Sequence, residues 1–398
     1  MRCIERDERL KASERRKPLF LLLLLLLLCS IDSKSLIIDQ VPLSSPPDSP
    51  PGRWGWPPRM RSSSSPRSWP RVRAFPPRCL DESLKPTFQK IHQGYPTETL
   101  VRFLKAREWS IPSAYKMLMD CLNWRIQNHI DEILTKPIIP ADLYRGIRDS
   151  QLVGLSGYTK DGHPVFAIGV GLSTYDKASV SYYVQSHIQM NEYRDRVILP
   201  ASTKKYGRHV ATCVKVLDMT GLKLSALCQI KLLTIISTID DLNYPEKTET
   251  YYIVNAPCIF SACWKVVKPL LQERTRRKVQ ILQGCGRDEL LKIMDYESLP
   301  HFCRREGSGS SGHSSSGSDN CFSFDHHFHQ QLYSYIKQQA LGRELAAPLK
   351  QGPFHIDVPE PDPKGVKIVK TAIESQLHKT GDRNGLSRSL SGLNINVA

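Results

Sequence analysis

Between residues 152 and 294 the chain alternates between two apolar rhythms, and that alternation limits the fold more than any other feature. Stretches with a two-residue period read as strands, and stretches with a 3.6-residue period read as helices. Leu152–Tyr158 and Val165–Val170 flank Asp161-Gly162, a turn signal that predicts a hairpin. A helix is expected next, with Val180, Tyr183, Val184, His187, Ile188 and Asn191 on one side, ending by Pro200. The sequence then predicts a strand over 210–218, a helix over 224–242, a strand over 251–255, a helix over 259–271, a strand over 279–283 and a short helix over 287–294. Strands separated by helices imply crossover connections and a mostly parallel sheet, hence an α/β fold.

A small all-α unit precedes this region. Leu100, Phe103 and Leu104 share one face of a helix expected over 97–109. Ser110 and Pro112 make an N-cap and a first-turn proline for a second helix, which carries Ala114, Met117, Leu118, Cys121, Leu122 and Trp124 and ends near Arg125. The expected organisation is a leader over 1–80, the helical unit over 81–135, the α/β unit over 139–306, and a Gly/Ser linker, short helix and polar tail over 307–398.

The leader is unusual. Arg15-Arg16-Lys17 precedes ten apolar residues, Leu19 to Leu28, too few for a spanning helix, which needs about 20. The run has the charge and length of a signal core but lacks a small-x-small cleavage site, so it reads as a targeting element or a mis-assigned start, with Met60 an internal alternative. Residues 42–78, rich in Pro, Ser and Arg, are expected to be disordered. Nine cysteines follow residue 29 at scattered spacings and no Asn-x-Ser/Thr acceptor occurs, which suits a reducing cytoplasm.

The net charge of +16 would suit nucleic acid or an anionic membrane. Residues 1–80 hold 15 basic and 7 acidic side chains, half of that excess, so a basic nucleic-acid module is not the default reading. Enzyme signals are weak. Neither a Gly-x-Ser-x-Gly elbow nor a Gly-x-x-x-x-Gly-Lys loop occurs, and no Cys-x-x-Cys suggests structural zinc. Asp325-His326-His327-Phe328-His329 reads as a solvated helix start rather than a metal site. No catalytic residue, metal or cofactor is expected.

Other features point to a ligand. The strand from Val210 places Cys213, Lys215 and Leu217 on one face and Thr212, Val214, Val216 and Asp218 on the other. Lys215 is either a charge guarding a sheet edge or an ammonium aimed at an anionic ligand in a cavity. The 224–242 helix is apolar nearly all round, so it is either fully buried or the wall of a cavity. The 259–271 helix combines Phe260 and Trp264 with Lys265 and Lys268, which fits either an ordinary surface helix or one dipping into an anionic membrane interface. Glu246, after Tyr244-Pro245, and Lys278, after Thr275-Arg276-Arg277, flank this element. Glu suits polyol hydroxyls and Lys suits a phosphate, although solvated charge at strand ends is the commoner case.

Taken in order, Leu100-Val-Arg-Phe-Leu-Lys-Ala-Arg107, Trp124-Arg125, Asp161-Gly-His-Pro-Val165, Val216-Leu-Asp-Met-Thr-Gly221, Tyr244-Pro-Glu-Lys247, Tyr252-Ile-Val-Asn-Ala-Pro257 and Val267-Lys-Pro-Leu270 resemble the CRAL-TRIO lipid-binding proteins. Within them the likeness is to the Sec-fourteen-like phosphatidylinositol transfer proteins of plants and fungi, and it covers roughly residues 85–305. The resemblance implies a sheet flooring a hydrophobic pocket, with a gating helix at 259–271 and a helical N-terminal unit. It puts Arg125, Glu246, Thr275 and Lys278 at the inositol phosphate headgroup, and Phe260, Trp264, Lys265 and Lys268 at the gate and membrane contact. The strand positions that help hold phosphatidylcholine in the family fall on Cys213 and Lys215, neither a small hydroxyl residue, which puts that second ligand in doubt.

The expected function is non-catalytic binding and intermembrane transfer or presentation of phosphatidylinositol. The expected partners are phospholipid and, transiently, an anionic membrane surface, but not nucleic acid. The protein is expected to be a cytoplasmic, peripherally membrane-associated monomer. The alternatives are a lipid-sensing scaffold and a carrier of another hydrophobic ligand.

Overall fold

The computed structural model describes residues 82–221, 230–256, 264, 273–304, 319–344, 354 and 356–357. The leader, most of the 259–271 segment, the Gly/Ser stretch and most of the tail lie outside these residues.

The N-terminal unit packs α1 (Lys85–His92), α2 (Pro96–Ala106) and α3 (Ile111–Gln127) around Phe88, Leu100, Phe103, Leu104, Met117, Leu118 and Leu122, all buried. The expected apolar faces are the packed ones. Ser110 occupies the N-cap of α3, but its hydroxyl hydrogen bonds Ser113 Oγ at 3.0 Å instead of a backbone N–H. A 3₁₀ turn (Ile130–Thr135) and α4 (Ala141–Gln151) lead into the sheet.

Five strands follow in sequential order: β1 (Val153–Tyr158), β2 (Pro164–Gly169), β3 (Cys213–Asp218), β4 (Thr248–Val254) and β5 (Val279–Ile281). β1 and β2 form the predicted antiparallel hairpin, and the other pairings are parallel. Because crossovers keep one hand, a sheet built in sequential order sends every crossover helix to the same face. That face receives α5 (Val180–Tyr193), α6 (Leu199–Tyr206) and α7 (Ile230–Asn243). The opposite face buries Val165, Ala167, Val214, Val216 and Val254 against Leu290, Met294, Leu299 and Phe302, from the segment holding α9 (Arg287–Leu291) and α10 (His301–Arg304). A short α8 (Glu273–Lys278) runs directly into β5.

Two expectations change. The helical run from Val180 continues past Pro200: a π turn (Arg194–Ile198) joins α5 to α6, and Pro200 falls in the first turn of α6, where the hydrogen-bond ladder has just changed register. The segment past the Gly/Ser stretch is more than a short helix and polar tail. Phe322 packs under the sheet. α11 (His327–Glu344) presses Phe328, Leu332, Tyr333 and Ile336 into the core with Tyr144, Phe166 and Tyr193. These apolar residues recur at helical spacing, and their burial draws the segment into the α/β unit. His329 is fully buried, with Nε2 3.0 Å from the Cys321 carbonyl oxygen, so it is not part of a solvated helix start.

Candidate functional site

Register puts Phe166, Lys215 and Tyr251 side by side across β2, β3 and β4, on the face that looks toward α5 and α7. The three line a cavity of about 90 Å³. Val153, Ile168, Met190, Leu233 and Ile236 supply apolar wall, and His187, Asn191, Arg194, Asp240 and Asp241 supply polar wall. The apolar 224–242 segment is therefore a cavity wall where it is described. β3 lies inside the sheet, which removes the edge-guard explanation for Lys215. Lys215 Nζ stands 3.8 Å from Asp240 Oδ2 and 5.7 Å from the centre of the Tyr251 ring. Asp240 Oδ1 is held by His187 Nε2 and Asn191 Nδ2, both at 2.7 Å. Burial would raise the Asp240 carboxyl, but His187 and Lys215 outweigh it and hold the group well below the carboxylate range. Cys213, next but one along the same face, is buried in the core and its Sγ approaches the Lys247 carbonyl oxygen at 3.4 Å.

A second, larger opening of about 700 Å³ lies between the helical unit and the beginnings of β4 and β5. It is lined by Arg102, Lys105 and Trp109 on one side and Glu246, Arg277 and Lys278 on the other. The Tyr244-Pro245-Glu246 corner builds this rim. Tyr244 is buried, the Pro245 carbonyl oxygen accepts from Arg102 Nη1 at 3.2 Å, and Glu246 adopts φ 56°, a left-handed conformation uncommon outside glycine. Lys278 Nζ donates to Glu246 Oε2 at 2.6 Å and to the Thr248 carbonyl oxygen at 2.9 Å. An ammonium has three N–H donors, so among the described residues one is left for the opening. Arg102 is buried, donates also to Thr99 Oγ1 at 3.2 Å, and has no carboxylate within 4.0 Å among the described residues. Burial lowers its pKa, and the carboxylates of Asp195 and Glu246 act in the opposite direction.

Arg125 lies elsewhere. It is buried in an ion network that ties α3 to α5: Nη1 and Nη2 each donate to Glu192 at 2.8 Å, and Nη2 and Nε reach Asp131 Oδ1 at 2.8 and 3.2 Å. Tyr244 Oη donates to the same Glu192 at 2.6 Å, and Arg196 pairs with it at 2.6 Å. Burial would raise Glu192, but Arg125 and Arg196 pull its pKa down to about 2. Four of the five N–H donors of Arg125 are taken by the Glu192 and Asp131 carboxylates.

A family model described as the CRAL/TRIO domain matches residues 148–303, and one described as the CRAL/TRIO N-terminal domain matches residues 76–120. The SEC14 cytosolic factor of Eremothecium gossypii is 32% identical over 213 residues, 51% of this chain and 67% of that protein. The chain belongs to the CRAL/TRIO family. It is also 28% identical over 228 residues to the phosphatidylinositol/phosphatidylcholine transfer protein SFH9 of Arabidopsis thaliana, a match covering 54% of this chain but only 39% of that protein. For SFH11 of the same plant the identity is 29%, over 51% of this chain and 55% of that protein. The crystal structure of Sfh5 aligns with a TM-score of 0.42 at 18% identity over 64% of this chain and 83% of that one, too loosely to support an argument.

On this CRAL/TRIO frame, two of the four expected headgroup residues, Glu246 and Lys278, meet at the larger opening. Thr275 sits one turn before Lys278 in α8, and its side chain lies outside the described ones. Arg125 is joined to Glu192 and Asp131 instead. Trp264 is half-buried, and Phe260, Lys265 and Lys268 lie outside the described residues. Sequence reasoning missed Arg102. It stands within the Leu100–Arg107 motif, and a charged residue between Leu100, Val101, Phe103 and Leu104 on a helix that packs this tightly was the available signal.

Proposed function

We propose that this protein binds phosphatidylinositol and carries or presents it between membranes without chemical change, with the opening at Lys278 receiving the headgroup. The observation that carries this reading is the pairing of Lys278, two of whose three N–H donors have partners among the described residues, with Glu246, opposite a buried Arg102 that has no carboxylate within 4.0 Å among the described residues. Arg102 and Lys278 supply donors for a phosphodiester, and Glu246 supplies acceptors for ring hydroxyls. Membership in the CRAL/TRIO family and relatives named as phosphatidylinositol/phosphatidylcholine transfer proteins support the same reading.

Acyl chains leave the bilayer only if something else shields them. Each buried CH₂ contributes about 0.8 kcal/mol, so a dry interior between α5, α7 and the sheet matches the bilayer's hold on the chains. Two acyl chains need more room than about 90 Å³, so loading requires a wall to move. The 259–271 segment is the proposed gate. It opens at a membrane as Phe260 and Trp264 enter the interface and Lys265 and Lys268 meet anionic lipid, which makes the protein peripheral and its membrane contact transient. No step in this cycle forms or breaks a covalent bond, and none calls on a cofactor. Transfer of labelled phosphatidylinositol between vesicles tests the headgroup assignment. The double variant Glu246→Ala/Lys278→Ala is expected to lose transfer while keeping its circular dichroism and melting transition. Transfer at the native rate removes the assignment.

A further inference from the structure

A third opening, of about 390 Å³, adjoins the headgroup opening and shares Arg102, His209 and Ala211 with it. Its volume is in the range of small-ligand sites. The two openings differ in charge. Glu98, Glu108, Glu246, Glu249 and Glu273 line the larger one beside its cations, whereas Asp195 is the one carboxylate among the residues lining the smaller. Both oxygens of Asp195 are taken, Oδ1 by Arg194 Nε at 2.7 Å and Oδ2 by Lys247 Nζ at 3.0 Å. Arg102 and Arg194 are buried and Lys247 is 11% exposed, so three enclosed cations stand around this one carboxylate. Burial and then Arg102 push the Lys247 ammonium down to about 7, with Asp195 acting against them. His209 stacks on Tyr95 with ring centres 3.6 Å apart, and its buried Nδ1 has no partner among the described residues. Enclosed positive charge in excess of its counterions is costly until an anion joins it.

We infer that the third opening is a site for a dianionic phosphate group, held by Lys247, Arg102 and the exposed Lys204 at its edge, beside the headgroup opening and distinct from it. Among the described residues, one of the three N–H donors of Lys247 and two of the five of Arg102 have partners. The rest can bond phosphate oxygens, and such charge-assisted bonds are the strong ones. The larger opening suits a polyol with a singly charged phosphodiester, because its glutamates accept from hydroxyls and repel further negative charge. The smaller one has no carboxylate left without a partner to repel a dianion. The phosphate arrives either free in solution or on an inositol ring. The second case rests on the phosphatidylinositol reading: one headgroup spans both openings, with its phosphodiester at Lys278 and a ring phosphate at Lys247.

The test uses the full-length protein. Calorimetry measures binding of inorganic phosphate, and uptake is measured from phosphatidylcholine vesicles doped with phosphatidylinositol or with one of its ring monophosphates. The native protein is expected to bind inorganic phosphate or to take up a monophosphate in preference to phosphatidylinositol. The first result identifies a soluble phosphate as the occupant and the second a lipid-borne one. Lys247→Met is expected to weaken that binding at least about tenfold, the size of one charge-assisted hydrogen bond. Lys204→Glu, at an exposed position of α6 on the edge of the opening, is expected to weaken it without disturbing the interior. Lys205→Glu, the exposed neighbour outside the lining, is expected to leave it near the native value. A native protein that shows neither phosphate binding nor a monophosphate preference overturns the site, whether or not Lys247→Met folds. Equal weakening by Lys204→Glu and Lys205→Glu overturns it as well, since that marks a general surface attraction. Inorganic phosphate binding involves no lipid, and phosphatidylinositol uptake is measured alone, so failure of this site and failure of the phosphatidylinositol reading are distinguishable.

Discussion

Arg125 and Lys278 are both cations paired with a glutamate, yet they occupy opposite situations. Arg125 is 4% exposed, its partner Glu192 is 2% exposed, and Asp131, Tyr244 and Arg196 close the network around them. Lys278 is 27% exposed, Glu246 is 14% exposed, and the pair borders an opening of about 700 Å³. A buried charge whose donors are nearly all taken by buried carboxylates fastens one element to another. A charge with donors left over at a cavity rim can take a ligand. Burial and completeness of partners separate the two roles, and residue type does not.

Removing a partner is the strongest way to probe that distinction. Arg125→Ala leaves Glu192 to Arg196 and Tyr244 alone and takes a buried counterion from Asp131, and breaking a buried pair costs up to about 3–5 kcal/mol. A denaturant titration should show a loss of that order, whereas a change below about 1 kcal/mol would mean that Arg125 does not fasten α3 to α5.

Acid probes the same network from the other partner. The folded-state pKa of Glu192 lies at about 2, below its ordinary 4.5, so its contribution is fully present above 4.5 and is lost as the pH falls from there toward 2. The slope contributed by one group approaches about 1.4 kcal/mol per pH unit. Melting temperature should drop over this window in the native protein. It should drop less steeply in Glu192→Gln, which starts from a lower value at neutral pH. Equal slopes would detach Glu192 from the acid response.

Lys278→Ala should change stability by less than about 1 kcal/mol, because the pair is partly solvated. Its effect belongs in transfer, so a large stability loss would move Lys278 into Arg125's category. Lys116→Ala, which breaks an exposed i,i+4 pair with Asp120, sets the floor at about 0.5 kcal/mol or less.

The sheet and its crossovers were legible because strand and helix periods report burial locally. Cys213 and Lys215 share the predicted face, and the hairpin forms around Asp161-Gly162 as expected. What stayed hidden depends on partners far away in the chain. Arg125 meets Glu192 across 67 positions, and Arg102 meets Pro245 across 143. No local pattern distinguishes a saturated arginine from an unsaturated one. The burial of His329 and the docking of α11 likewise rest on Cys321, Phe166 and Tyr144, contacts that a polar-looking tail does not announce.

The central claim is that the space beside this sheet holds a lipid. The most direct measurement is mass spectrometry of the organic extract of the purified full-length protein, followed by uptake from vesicles containing phosphatidylinositol. The account predicts an amphiphile near one per chain, exchangeable for phosphatidylinositol. An extract with no amphiphile above background, together with no uptake, would contradict it.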